Sequence, residues 1–208
     1  DIAKFKLLSD EISSFDPDAI IHFAAESHVD NSILKPSDFI QTNIIGTFNL
    51  LESIRMIMNI KKKKNFLFVH VSTDEVFGSL KKSGKFREST KYDPRSPYSS
   101  SKAASDHLVK AWSHTYKIPA VITNCSNNYG PHQHIEKLIP TIITNGINKT
   151  NIPIYGDGKN IRDWLHVDDH INALYKILFF GEPGERFNIG GNNEISNINL
   201  VRIICDIL

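Results

Sequence analysis

The sequence predicts a doubly wound α/β fold built on a parallel sheet, on three observations. Short unbroken apolar runs recur as A-I-I-H-F-A-A at 19–25, F-L-F-V-H-V at 66–71 and P-A-V-I-T-N at 119–124, the pattern of strands covered on both faces. Stretches with apolar residues at helical spacing separate them, as βαβ units require. Each run also ends in polar residues: Glu26-Ser27-His28, then Ser72-Thr73-Asp74-Glu75, then Asn124 through Asn128. In parallel strands these clusters meet at one carboxyl edge, where open sheets bind ligands.

Taken in order, the first helix is read from Phe5, Leu8, Ile12 and Phe15 and ends at the turn signal D-P-D. The strand at 19–25 follows. A second helical pattern runs from Ser37 to about Met58, with Pro36 and Ser37 suited to its start. The basic run at 61–64 reads as a solvated loop before the strand at 66–71. A loop rich in Gly, Lys, Ser and Pro covers 78–97, a long helix runs from Tyr98 to Tyr116, and the strand at 119–124 comes next. Beyond Pro131 the chain is broken by Pro140, Pro153, Gly156 and Gly158, so 131–163 is read as an excursion into a smaller region. D-W-L-H-V-D-D-H-I-N-A-L-Y-K-I-L-F-F at 163–180 is read as one helix, and E-R-F-N-I-G as a strand closed by Gly190 and Gly191. Trp112 and Trp164 are assigned to packing.

Composition narrows the function classes. The 208 residues are 40% hydrophobic and 23% charged, with a formal net charge of +1, ordinary for a globular protein. That balance gives no general attraction to nucleic acid or anionic membrane. No apolar run approaches the ~18 residues of a membrane span, and no signal-peptide pattern opens the chain, so a cytoplasmic protein is expected. Cys125 and Cys205 lie in apolar surroundings without C-x-x-C spacing and are expected to be reduced core residues. Asp1 does not follow a methionine and Leu208 falls within the amphipathic L-V-R-I-I-C-D-I-L. The expectation is an internal fragment.

Y-S-S-S-K at 98–102 places Lys102 one helical turn from Tyr98, where an ammonium favours phenolate and lowers a pKa that is otherwise ~10. Such a tyrosine can serve as a base. Y-G-D-G-K at 155–159 has the same spacing, but its glycines indicate a turn and the shared face is lost. Asp74 and Glu75 read in isolation either as solvated loop acids or as a catalytic pair, and Asn127 and Asn128 either as turn formers or as ligands. His166 and His170 have i,i+4 spacing without a third ligand; Asp168 and Asp169 are explained as helix-start acids. No metal is expected.

Six segments then carry a resemblance over essentially the whole chain: H-F-A-A-E-S-H-V-D at 22–30, S-T-D-E-V-F-G at 72–78, Y-S-S-S-K at 98–102, N-C-S-N-N-Y-G-P at 124–131, E-K-L-I-P at 136–140 and I-R-D-W-L-H-V-D-D-H at 161–170. Together they resemble the dTDP-glucose 4,6-dehydratases, which belong to the extended short-chain dehydrogenase/reductases. The resemblance implies a Rossmann-type NAD-binding domain at 1–130 and 164–191 and a substrate-binding region at 131–163 and 192–208. Both would be incomplete, lacking the first βα unit and the C-terminal part. The family's glycine-rich phosphate loop would lie upstream of Asp1.

The implied reaction oxidises the sugar at C4 with NAD, eliminates water across C5 and C6, and returns the hydride to C6. By motif, Tyr98 is the base at the 4-hydroxyl, and Lys102 tunes it and holds the nicotinamide ribose. Glu75 takes the C5 proton, Asp74 protonates the departing C6 hydroxyl, and Thr73 orients the sugar. One carboxylate and one carboxylic acid side by side suit such an elimination. Cofactor contacts carried over are Asp1 and Ile2 toward the adenine, Phe23, Ala24, Ala25, Ser27 and Thr42, and Asn128 near the nicotinamide beside Tyr98 and Lys102. Implied substrate contacts are Ser27, Thr73, Asn127, Lys137, Leu138, Pro153, Tyr155, Arg162 and Asn197, with Lys137 and Arg162 supplying positive charge for a pyrophosphate. The partners implied are the nucleotide sugar and a second copy, paired through the helices at 37–58 and 98–116. The alternatives are a dehydratase of UDP- or CDP-glucose, an epimerase or decarboxylase of UDP-sugars, and a non-catalytic nucleotide-sugar-binding homologue. The Asp74-Glu75 pair favours dehydration.

Overall fold

The computed structural model describes residues 1–61, 66–80, 84–154 and 156–208. Most of the basic run at 61–64, and Tyr155, lie outside the described residues. The chain divides into two compact units, residues 1–124 with 176–188 and residues 125–175 with 189–208. Among the described residues, no helix is long and apolar enough to cross a membrane.

In the first unit, helix α1 (Phe5–Phe15) ends in a left-handed Asp16 and leads to strand β1 (Ala19–His22). Short helices α2 (Val29–Leu34) and α3 (Pro36–Phe39) precede α4 (Thr47–Lys61). Strand β2 (Leu67–Thr73), helix α5 (Pro97–Tyr116) and strand β3 (Ala120–Cys125) follow. Strand β6 (Arg186–Ile189) completes a parallel four-stranded sheet of order β1-β2-β3-β6. β1 and β2 pair in parallel, with His22 opposite His70. The core packs Leu50, Leu51, Ile54 and Ile57 of α4 and Val109 of α5 with Phe68, Ala120 and Ile122 of the sheet and with Phe66 just ahead of β2.

The second unit holds strands β4 (Asn127–Tyr129), β5 (Ile161–His166) and β7 (Glu194–Ser196), in the order β4-β5-β7. β4 and β5 are parallel, while β5 and β7 are antiparallel. Helix α6 (Leu138–Ile147) and helix α8 (Asn197–Ile207) pack on each other. The remaining helix, α7 (Val167–Phe180), starts in this unit with Asp168 and Asp169 in its first turn.

Several elements depart from the sequence expectation. β1 stops at His22, short of Ala25, and β2 continues through Ser72 and Thr73. The single helix expected over 37–58 is interrupted by a π-helical stretch, Ile40–Gly46. Residues 163–166 are strand rather than helix: the Asp163 carboxylate accepts from the amides of Gly191 (2.7 Å) and Asn193 (2.7 Å), and Trp164 pairs opposite Asn127. Tertiary pairing overrides local helical spacing here. His166 therefore ends a strand while His170 lies on a helix, so the i,i+4 face assumed for them does not exist. Cys205 is exposed, not core, and Cys125 is half-buried; neither forms a disulfide.

Candidate active site

The end of β2 is where the sheet gives way to chemistry-bearing side chains. Thr73 caps a single 3₁₀ turn, Asp74–Phe77, its hydroxyl accepting from the Glu75 amide at 3.2 Å and lying 3.4 Å from Asp74 Oδ1. Val76 and Phe77 are buried in the same turn. Those apolar anchors leave Asp74 and Glu75 half-exposed, so the two acids need not alternate between faces as they would in a strand. Gly78 closes the turn at φ 82°, and a Cβ there would stand 2.5 Å from the Asp93 carbonyl oxygen. The close approach accompanies a bond from the Asp93 amide to the Val76 carbonyl. No side chain fits between these strands of backbone.

Tyr98 and Lys102 lie on α5, whose start is set by Pro97 at its first position and by a reciprocal cap between Ser96 and Ser99. Tyr98 is thus in the first turn, where the helix dipole favours a negative side chain. Both residues are buried. The Lys102 ammonium donates to the Val71 carbonyl at 2.8 Å, which ties it to β2 just ahead of Thr73. The Tyr98 ring meets Phe39 edge-on.

The segment after β1 is held by a residue not singled out from the sequence. Asn43, in the π-helical stretch, accepts from the Glu26 amide (2.9 Å) and donates to the Glu26 carbonyl (3.0 Å) and to Ser101 Oγ (2.8 Å). Glu26 is thereby tied to the turn of α5 between Tyr98 and Lys102. Phe23, Ala24 and Ser27 are exposed and Ala25 half-exposed, which leaves a wall open to a ligand. Thr42 is half-exposed beside Asn43. At the chain start, the Ile2 carbonyl accepts from Asn49, its side chain lies over Gly46, and Asp1 accepts from the Ala3 amide. Exposed apolar surface beside a buried ammonium and open backbone suits a dinucleotide.

In the second unit, β4 carries Asn127 and Asn128. Asn128 is fixed on every side: its amide donates to the Ser126 carbonyl (3.0 Å), its Oδ1 lies 2.8 Å from His170 Nδ1, and its carbonyl accepts from Gln133. Burial holds His170 below the usual imidazole pKa, so the neutral ring donates its Nδ1–H. Arg162 lies exposed on β5 opposite Ile195 of β7, one residue from the pair Ile161–Ser196 that leads into Asn197. Its guanidinium donates to the Ile161 carbonyl at 3.0 Å. Lys137 and Leu138 open α6, and Pro153 is exposed in an irregular segment. Among the described residues no group of three His, Cys, Asp or Glu could hold a metal ion.

Beneath the β2 edge, the structure reveals titratable groups absent from the sequence assignment. His22 and His70 face each other with ring centroids 5.3 Å apart, and burial holds both below the ordinary imidazole pKa. His22 Nε2 is 3.1 Å from the Thr47 hydroxyl. His70 had a sequence signal, a polar residue within an apolar run. Asn43 had none.

A parallel sheet ending in Thr73-Asp74-Glu75, beside a helix whose first turns carry Tyr98 and Lys102, defines the extended short-chain dehydrogenase/reductase class. Within it, the chain belongs to the GDP-mannose 4,6 dehydratase family, whose model matches residues 1–207. Over 220 residues it is 51% identical to the dTDP-glucose 4,6-dehydratase of Escherichia coli, covering 100% of this chain and 61% of that one. It superposes on the NAD-bound crystal structure of the dTDP-glucose 4,6-dehydratase DesIV from Streptomyces venezuelae with a TM-score of 0.91 at 46% identity, covering 99% of this chain and 61% of that one. The UDP-glucuronic acid 4-epimerase of Bacillus cereus gives 0.89 at 29% identity, covering 100% and 63%. The chain spans about 60% of the length of the curated relatives it matches.

Proposed function

We propose that the chain is the greater part of a cytoplasmic dTDP-glucose 4,6-dehydratase, with NAD bound along the open segment after β1. The unit of residues 1–124 and 176–188 would hold the dinucleotide, and the second unit would supply most of the sugar-nucleotide contacts. The observation that carries this reading is the capped turn at the end of β2, where Thr73, Asp74 and Glu75 follow directly on the strand to which Lys102 is bonded. A 4-epimerase shares the fold but has no elimination for two adjacent acids to perform.

NAD supplies a hydride acceptor at C4 and a donor at C6. The remaining steps belong to side chains. Tyr98 takes the proton of the sugar 4-hydroxyl, assisted by the Lys102 charge and the helix start. Glu75 removes the proton on C5, made acidic by the adjacent C4 carbonyl, while Asp74 gives its proton to the leaving C6 hydroxyl, released as water; Glu75 returns its proton to C5 when C6 is reduced. Thr73, fixed by its cap bond, donates to the sugar oxygen at C4. Asn128, Arg162 and Lys137 would orient the nicotinamide and the pyrophosphate. Ile45 of the π-helical stretch, Phe48 and Met56 of α4 and Tyr116 of α5 are large exposed apolar side chains, which supports a homodimer joined through these helices. Sedimentation at micromolar concentration is expected to give the dimer mass.

Turnover is read as the alkaline absorbance of the 4-keto product in a chain of the relatives' full length. An Asp74→Asn, Glu75→Gln double variant is expected to lose at least 10²-fold; full activity in it sinks the assignment. Because the matching family model is described by GDP-mannose and the closer relatives by dTDP-glucose, rates with dTDP-, UDP-, CDP- and GDP-linked sugars decide the nucleotide. dTDP-glucose is expected to be fastest.

A further inference from the structure

The proposed reaction leaves one buried carboxylate unused. Asp106 lies on α5, four residues after Lys102 and eight after Tyr98, and is 1% exposed. Its Oδ1 is 3.1 Å from His70 Nε2, and its Oδ2 accepts from the Tyr92 hydroxyl and, at 3.3 Å, from the Asn124 amide. The same Asn124 amide group donates to the Thr73 carbonyl at 3.0 Å. One carboxylate thus joins α5, β2, β3 and the loop that carries Tyr92.

Its charge state follows from these partners. Burial alone would raise the Asp106 carboxyl, but the His70 ring 3.1 Å away, the Tyr92 hydrogen bond and the nearby Lys102 charge outweigh it and hold the pKa below the ordinary carboxylate value. His70 is neutral, by burial first and then by the Lys102 charge, and His22 beside it is neutral by burial first, then by His70 and Lys102. Burial, followed by the Asp106 charge, raises Tyr92, which stays a donor. The other groups near this cluster are His107, edge-on to Tyr92, and Arg186, stacked 4.8 Å from the Tyr92 ring centroid. Buried charges persist when paired and hydrogen-bonded, and Lys102 is the buried cation on the same helix face.

We infer that Asp106 is the buried counter-charge of Lys102 and, through Asn124, the anchor of the strand end that presents Thr73, and so a positioning residue for the Tyr98–Lys102 pair. This rests on Tyr98 being the base. An ammonium without a counter-charge would stabilise the Tyr98 phenolate so strongly that it becomes a weak base. A carboxylate two turns further along offsets that pull. Eight residues of helix put it about 12 Å from Tyr98, where one charge at an effective dielectric of about 20 shifts a titration by roughly one pH unit.

Phenolate absorbance, taken as the difference between the chain and its Tyr98→Phe variant, reads the Tyr98 titration without turnover. In Asp106→Asn this titration is expected to move down by about one pH unit, and the acid limb of dTDP-glucose turnover should move with it. Asp106→Glu, which restores the charge, should return both toward the parent values. A purely structural role lowers the rate and leaves the limb in place; an unmoved or upward titration in folded Asp106→Asn overturns the inference. Should that variant not fold, carbon-13 titration of the Asp106 carboxyl in the parent and in Lys102→Met replaces it. An upward move on loss of Lys102 supports the pairing, and no move overturns it. If the parent turns over no nucleotide sugar while these titrations behave as expected, the reaction assignment fails and the Asp106–Lys102 coupling stands.

Discussion

The two sets of candidate site residues are built on opposite plans. In the first unit Thr73, Tyr98 and Lys102 are buried and tied to the backbone around them: buried Asn124 donates to the Thr73 carbonyl, buried Ser101 to the Tyr98 carbonyl, and Lys102 to the Val71 carbonyl. In the second unit Pro153 and Arg162 are exposed, Lys137 is half-buried, and the Arg162 guanidinium donates to the carbonyl of the preceding residue, Ile161. Asn128 there is held as firmly as the first set, by the Ser126 carbonyl and His170. The difference separates two physical tasks. Groups that exchange protons need a fixed geometry and a tuned environment, whereas groups that neutralise a phosphate chain need charge and reach.

Kinetics provide the sharpest test of that contrast. Tyr98→Phe is expected to lower kcat by roughly 10²–10⁴-fold, while Arg162→Ala should raise the KM for the nucleotide sugar about tenfold through a lost charge-assisted bond and leave kcat nearly intact. If Arg162→Ala lowered kcat as Tyr98→Phe does, the division between chemistry and recognition would collapse.

Acid should weaken the first unit through its buried imidazoles. Because burial depresses the folded-state pKa of His22 and His70, the unfolded chain takes up protons first. Stability is therefore complete above the unfolded value of about 6.5 and declines as pH falls below it, by on the order of 1 kcal/mol per pH unit for each histidine. Asp106 adds a further loss as pH falls from the ordinary carboxylate value of about 3.9 down through its depressed one. Urea unfolding at pH 7, 6 and 5, followed by amide exchange in β2, should show the decline; a flat profile would mean that the imidazoles are not buried neutral.

At the small end, exposed pairs should be nearly silent. Asp93 and Arg95 meet at 2.7 Å with both side chains more than 60% exposed, and Arg95→Ala is expected to change stability by no more than about 0.5 kcal/mol. A loss of several kcal/mol in thermal unfolding would show that the loop beside Gly78 bears load through its surface.

The same contrast explains what could be read from the sequence. Strand and helix order in the first unit was legible because its apolar runs are short, continuous and bounded by turn residues, and Tyr98 and Lys102 were legible because four-residue spacing on a helix has one geometric meaning. The strand at 163–166 was not legible: Trp164, Leu165 and Val167 continue the apolar spacing of α7, and only pairing with β4 and β7 makes the segment extended. The π-helical stretch leaves no compositional mark, so the inward turn of Asn43 could not be anticipated. Asp106 was within reach, since it extends the Tyr98–Lys102 face by one more turn. What hid it was that its partners, His70, Tyr92 and Asn124, come from three other segments.

The reciprocal cap of Ser96 and Ser99 has a consequence for how the base is switched on. Tyr98 sits inside the one turn of α5 that this cap closes, and a helix end is the part that opens most readily. If Tyr98 is the base as proposed, each opening displaces the phenol, and the fraction of molecules able to react is then bounded by the fraction with that turn shut. The exchange rate of the Ser99 amide, which donates to Ser96 Oγ at 3.0 Å, is thus a direct gauge of the competent population. On the function proposed above, altering this one bond is expected to lower turnover without touching any atom proposed to meet the sugar.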